Sequence, residues 1–311
     1  MTVLTSDARA LGVKTGEIEA ALLETLAYFD VFDYPARPEE LRRYLHGYVV
    51  TPAALDEGLR TSLLRKRIEC DQGYYFLAGR RQIRLLREAR KARYALMTTR
   101  IAAYGRILGN LPFMRMVALT GSTAMQNGDD TADLDFLLVT APGRLWLARA
   151  FAIVLGRLTA LSGNVLCPNV IISERALIWP QQDIYTAHEM AQMRPLAGTQ
   201  TYHTLREMNA WVLDLLPNAG GSPSLPLPPN TPPTFRRWME RPLKGKIGDA
   251  FENWEMRRKI ARLSEQAASG AEIMFSADVC QGNFHEHGLL TRQAFQRRLT
   301  ALGLGPGLRR E

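Results

Sequence analysis

The stretch from Met116 to Thr140, MVALTGSTAMQNGDDTADLDFLLVT, most constrains what this chain can become. A short apolar run, Met116 to Leu119, ends at Thr120-Gly121-Ser122; roughly ten residues later, Asp133-Leu134-Asp135 leads into a second apolar run, Phe136 to Val139. Short apolar runs bounded by turn residues read as buried strands. Gly-Ser at a strand-to-helix corner lets backbone N–H groups approach a phosphate with no side chain in the way. Two residues apart on a strand, the side chains of Asp133 and Asp135 point to the same face. A phosphate cradle beside paired carboxylates outlines a metal-assisted phosphoryl-transfer site.

The rest of the chain is compatible with such chemistry. At 311 residues and 46% hydrophobic it has material for a sizeable core and more than one domain. A formal charge of +8 suits polyanionic partners, from nucleotides to nucleic acids, without selecting one. Cys70, Cys167 and Cys280 lie far apart with no ligand-like spacing, which fits a reducing compartment better than a disulfide framework. The N-terminus lacks an apolar signal core, and the longest apolar tract, Leu145 to Leu161, is interrupted by Arg149 and Arg157. A buried or amphipathic helix is expected there, no membrane partner, and a cytoplasmic location.

Helical periodicity covers Thr15 to Asp30, with a cap in the Thr15–Ile18 region, then a short helix after Pro38 and a third opened by Thr51-Pro52. Two short strands, 67–70 and 74–77, flank the turn Asp71-Gln72-Gly73. Three helices and a hairpin resemble a winged helix-turn-helix domain, over 1–79. That resemblance implies DNA contacts from Arg60, Thr61, Arg65 and Lys66 on the third helix, or else a fold used for protein contacts or packing. A basic connecting helix follows over 80–110, with Arg80, Arg84, Arg87 and Lys91 at helical spacing; the stripe is either a solvated face or a surface for a polyanion. The core spans 111–216, with a helix from Leu145 to Leu161, a strand from Val165 to Ser173, and helices near Ala187–Met193 and Leu205–Leu216. A Pro-rich linker covers 217–234, and the C-terminal region, 235–311, reads as helical.

Leu119-Thr120-Gly121-Ser122 followed by Asp133-Leu134-Asp135 resembles the mark of the nucleotidyltransferase superfamily, the DNA polymerase β-like fold. Thr186-Ala187-His188-Glu189-Met190 and Asn209-Ala210-Trp211 are similar to segments of winged-helix members of that group. The resemblance implies an α+β fold, a mixed sheet flanked by helices. It also implies transfer of a nucleoside monophosphate from an NTP, such as ATP, to an acceptor hydroxyl with release of pyrophosphate. Asp133 and Asp135 would be the catalytic acids and the ligands of Mg²⁺ or Mn²⁺. Gly121, Ser122 and Thr123 would hold the phosphates. The acceptor could be a small molecule, an RNA or a protein, and nothing in the sequence chooses among them.

One position departs from the pattern. The superfamily's third carboxylate, on a later strand, aligns with Asn169, a neutral amide that can ligate the metal weakly but cannot accept a proton. Three outcomes are open: Glu174 substitutes, Asp129 or Asp130 swings in, or the site binds nucleotide without turnover, as a regulator that reads DNA through its winged helix. His188-Glu189 is not a zinc motif, because Gln192 occupies the place of the second histidine, and His285-Glu286-His287 lacks a third ligand.

Overall fold

The computed structural model describes residues 14–129, 133–160, 166–221, 234–266, 273–282 and 287–305. It is an α+β chain built around a mixed six-stranded sheet. Among the described residues no helix is long and apolar enough to cross a membrane. The Asp130, His285 and Glu286 candidates lie outside the described residues.

Three helices lead the chain: α1 (Thr15–Asp30), α2 (Pro38–Arg43) and α3 (Pro52–Leu64). The cap of α1 is Lys14, ahead of the expected segment, with its N–H bonded to Glu17 at 2.7 Å. Pro38 opens α2, where Glu40 accepts the Arg37 N–H, and Thr51 Oγ1 accepts the Ala54 N–H to cap α3. Strands β1 (Ile68–Asp71) and β2 (Tyr74–Leu77) pair antiparallel around Gln72 and Gly73, both at positive φ, as a two-residue hairpin turn demands. The exposed side of α3 carries Asp56 and Glu57 beside Arg60 and Leu64. Arg60 is paired with Glu57, and Arg65 with Glu19 at 2.5 Å. The cations expected to face DNA are thus largely matched by acids of their own chain.

The long helix α4 (Ile83–Gly109) corrects the reading of its basic stripe. Arg80 bonds Asp30 and Asp33, and Arg84 bonds Asp71 at 2.9 Å and Glu88 at 2.7 Å. Arg87 is buried; it donates to the carbonyls of Met125 (2.8 Å) and Gln126 (2.6 Å), to the Tyr34 hydroxyl (2.9 Å) and to Glu40 (3.2 Å). Three of the four stripe residues are therefore consumed inside the fold, because the N-terminal helices and hairpin supply carboxylates opposite them. Arg87→Ala is expected to cost about 3 kcal/mol, since it leaves Glu40 and two carbonyls without their buried donor. A urea midpoint unchanged from the parent would refute this.

The sheet order is β6-β3-β4-β5-β8-β7, from β3 (Met114–Leu119), β4 (Leu134–Thr140), β5 (Leu166–Ser173), β6 (Arg194–Ala197), β7 (Ile273–Phe275) and β8 (Val279–Gly282). Only β4 and β5 run parallel; the remaining neighbours are antiparallel. Two of these strands come from the C-terminal region expected to be helical, and β6, only Arg-Pro-Leu-Ala, carries no periodic signal by itself. The helices after β3 are α5 (Gly121–Ala124), α6 (Leu145–Ala160), α7 (Ile184–Gln192), α8 (Thr199–Met208), α9 (Val212–Leu215), α10 (Thr234–Glu240), α11 (Lys246–Gln266) and α12 (His287–Ala301). The single helix expected over Leu205–Leu216 is divided at Asn209. Its side chain accepts the Trp179 N–H and donates to the carbonyls of Leu177 and Leu205, at 2.7–2.8 Å.

Alternation along β4 divides the core. Phe136 and Leu138 point to α4, α6 and α11, while Leu137 and Val139 point to α7, α8 and the cluster that includes α1. Asp135 shares the parity of Leu137, so it faces α7 and the N-terminal helices. The C-terminal α12 packs against α1, where Arg298 bonds Asp30 at 2.7 Å. At the turn into α8, Gly198 has φ +77° and a Cβ there would stand 1.9 Å from the Arg115 carbonyl oxygen. Gly198→Ala is expected to lower stability by at least about 3 kcal/mol through strain and displacement of β3, measurable by urea unfolding.

Candidate functional site

β3 ends at a corner that only glycine tolerates well. Gly121 has φ +66°, and a Cβ there would meet the Asp135 Oδ2 at 3.0 Å. The Asp135 carboxylate therefore lies directly against the turn. The Thr120 N–H donates to the Asp135 carbonyl at 3.0 Å, and the Thr123 hydroxyl donates to the Asp133 carbonyl at 3.3 Å, so the corner and the start of β4 are tied together twice. Ser122 is exposed, Thr123 buried, Asp135 half-buried and Asp133 exposed just before the strand. In the first turn of α5, N–H groups have no intrahelical acceptor.

Glu189, on α7, completes the corner. Its carboxylate accepts the Gly121 N–H, and it stands close enough to Asp135 to feel its charge. Burial, and after it the Asp135 charge, push the Glu189 carboxyl up to about 7 against the Gly121 hydrogen bond, which acts in the opposite direction. The Gly121 N–H is thus already engaged, leaving those of Ser122 and Thr123 for a phosphate. Sequence reasoning treated Glu189 only as part of a resemblance and of a failed zinc motif. The available signal was a carboxylate flanking the buried side of α7, beside Thr186, Met190 and Met193.

Of the other acids proposed in place of Asn169, Glu174 is elsewhere. Glu174 follows Ser173, which pairs with Thr140, so it lies six residues along the strand direction from Asp135, about 20 Å away. There it faces Arg115 at 3.7 Å. Asp129 is exposed in the loop. Asn169 itself does come to the site. An extra residue in β5 between the Asp135–Cys167 and Leu137–Val170 pairs shifts the register, and Asn169 lines a cavity with Thr120 and Glu189. Among the described residues no group of three or more His, Cys, Asp or Glu side chains is placed to hold a metal ion.

Two cavities meet at Glu189. One contains Gly121, Ser122 and Asn127 and is walled by Tyr28, Phe29, Phe32 and Tyr34 from the N-terminal helical unit. The other lies on the Thr120 and Asn169 side. Behind Glu189 runs a buried chain of polar groups. One assignment of protons satisfies every member: Gln192 donates to His188 Nδ1 (2.9 Å), His188 Nε2–H donates to His46 Nε2 (2.9 Å), and His46 Nδ1–H donates to Glu24 (3.1 Å). Tyr28 stacks on His188 with ring centroids 4.0 Å apart. Burial, then the neighbouring His46, holds His188 well below the usual imidazole value. This chain links α1 and the segment after α2 to α7, and so fixes the helix that carries Glu189.

Comparison with known proteins adds no relative: no protein-family model matches the chain, and neither a curated protein nor a solved structure matches it.

Proposed function

We propose that the chain is a metal-assisted nucleotidyltransferase, moving a nucleoside monophosphate from an NTP to an acceptor hydroxyl with release of pyrophosphate. The Gly121 corner carries this reading: Asp135 lies against it from β4, and Glu189 accepts its N–H from α7. Carboxylate oxygens are the donors that Mg²⁺ or Mn²⁺ prefers, and one or two such groups suffice when phosphate oxygens complete the shell. Asp135, with Asp133 at the entrance to β4, fits that requirement, and the ion when bound would neutralise triphosphate charge. The N–H groups of Ser122 and Thr123 receive the leaving pyrophosphate. As the acceptor oxygen attacks the α-phosphorus, the bond from that phosphorus to the bridging oxygen breaks and Glu189 takes the hydroxyl proton. Asn169 contributes an amide that can orient the acceptor.

The competing reading, a nucleotide-binding regulator that contacts DNA, drew its support from Asn169 in place of a third acid. Glu189 supplies an acid from a different element, and Asp56 and Glu57 stand on the side of α3 that DNA would meet. Incubation with Mg²⁺ and each α-labelled NTP, with and without cell extract, separates the two. Label transfer and pyrophosphate release, both lost in Asp133→Ala and Asp135→Ala, are expected. Metal-dependent NTP binding that never yields pyrophosphate would favour the regulator instead.

A further inference from the structure

In-line displacement places the acceptor opposite the leaving pyrophosphate. With pyrophosphate on the Ser122 side of Glu189, the acceptor belongs in the cavity on the Asn169 side. That cavity is chemically distinctive. Trp179 and Tyr185 offer aromatic faces, and Asn169, Gln181 and Gln281 offer three primary amides. Among the described residues these three amide side chains make no hydrogen bond. Among the described residues no Lys, Arg or Asp lines it, and the carboxylate in its lining is that of Glu189. Asn209 holds the Trp179 backbone at 2.8 Å, so the aromatic wall is fixed by the fold.

We infer that the acceptor is an uncharged polyol of the carbohydrate type. This rests on the transferase reading. An RNA end would carry phosphates into a cavity among whose described lining residues there is no Lys or Arg to meet them. A protein segment would bring backbone and charged neighbours into a pocket with a single acid. A sugar or cyclitol ring instead has apolar C–H faces for Trp179 and Tyr185, and hydroxyls that both donate to and accept from amides. One of those hydroxyls then lies beside Glu189, the group that takes its proton.

Saturation-transfer NMR on the full chain tests this with D-glucose, maltose and myo-inositol as probes, adenosine and a short RNA as alternatives. Mg²⁺–ATP titration is run on the same samples. Saturation of at least one neutral polyol is expected. Its affinity should fall about tenfold in Trp179→Ala and about threefold in Gln181→Ala, an exposed position that leaves folding intact. ATP binding should be unchanged in both variants. The inference is overturned if no polyol binds, if binding ignores both substitutions, or if adenosine alone binds in a Trp179-dependent way, which would assign the cavity to the base of the NTP. Transfer of label to RNA overturns it equally. The two readings fail separately: polyol binding without any Mg²⁺–ATP binding defeats the transferase and leaves the cavity assignment standing, whereas ATP binding without polyol binding does the reverse.

Discussion

Glu189→Gln should make the metal-free protein more stable at pH 8 while lowering transfer about 10²–10⁴-fold, the range expected for loss of a general base. The stability gain follows from linkage. The Glu189 carboxyl is raised from 4.5 to about 7 in the fold. A raised acid binds its proton more tightly folded than unfolded, so its contribution is fully present below pH 4.5 and is lost as pH rises through 7. Above that, holding the charged carboxylate out of water, and secondly beside Asp135, costs about 3 kcal/mol. Glutamine keeps an oxygen for the Gly121 N–H and removes the charge. Urea unfolding at pH 5 and pH 8 checks the sign: the variant should gain at pH 8 and show little difference at pH 5. Equal stability at pH 8, or retained turnover, would place the base elsewhere. Such a trade between stability and activity is what a site storing like charge should display.

Acid should expose the opposite effect at His188. Its imidazole is held neutral in the fold, well below the usual 6.5, while the unfolded chain protonates normally. The unfolded state therefore binds the additional proton, and stability falls as pH drops below 6.5, by up to about 1.4 kcal/mol per pH unit. Between pH 4.5 and 6.5 this slope opposes that of Glu189, so the parent protein should look nearly flat there. The single variants separate the two: Glu189→Gln should reveal a steep loss towards acid, and His188→Phe should leave only the loss towards alkali. Phenylalanine keeps the stacking on Tyr28 but removes the donor to His46, so it should also lower stability at every pH. The slopes, rather than the absolute values, decide the matter; a parallel pH profile for His188→Phe and parent would show that the imidazole does not titrate as its burial implies.

Much of the framework was legible because it is local. Thr51-Pro52 marks the start of α3, Gln72-Gly73 makes the hairpin, and the apolar runs around Gly121 and Asp135 make β3 and β4, all within a few residues of sequence. Strand parity also puts Asp135 on one face with Leu137, though which helices cover that face came from the fold. What failed was long-range. The Arg80–Arg87 stripe reads as surface until α1, α2 and β1 bring Asp30, Glu40 and Asp71 to it. Strands β7 and β8 are too short to declare themselves without β5 to pair with.

The Gly121–Ser122 corner with Asp135 against it belongs to the first class: spacing and backbone sterics already read as a turn with a carboxylate beside it. Glu189 belongs to the second. It is 54 residues from Asp135 in sequence, and only the packing of α7 against that face of the sheet, held by a histidine chain from the N-terminal helices, puts a desolvated acid there. A pattern of periods cannot encode which distant helix covers a strand; burial and like-charge proximity arise from the tertiary fold alone.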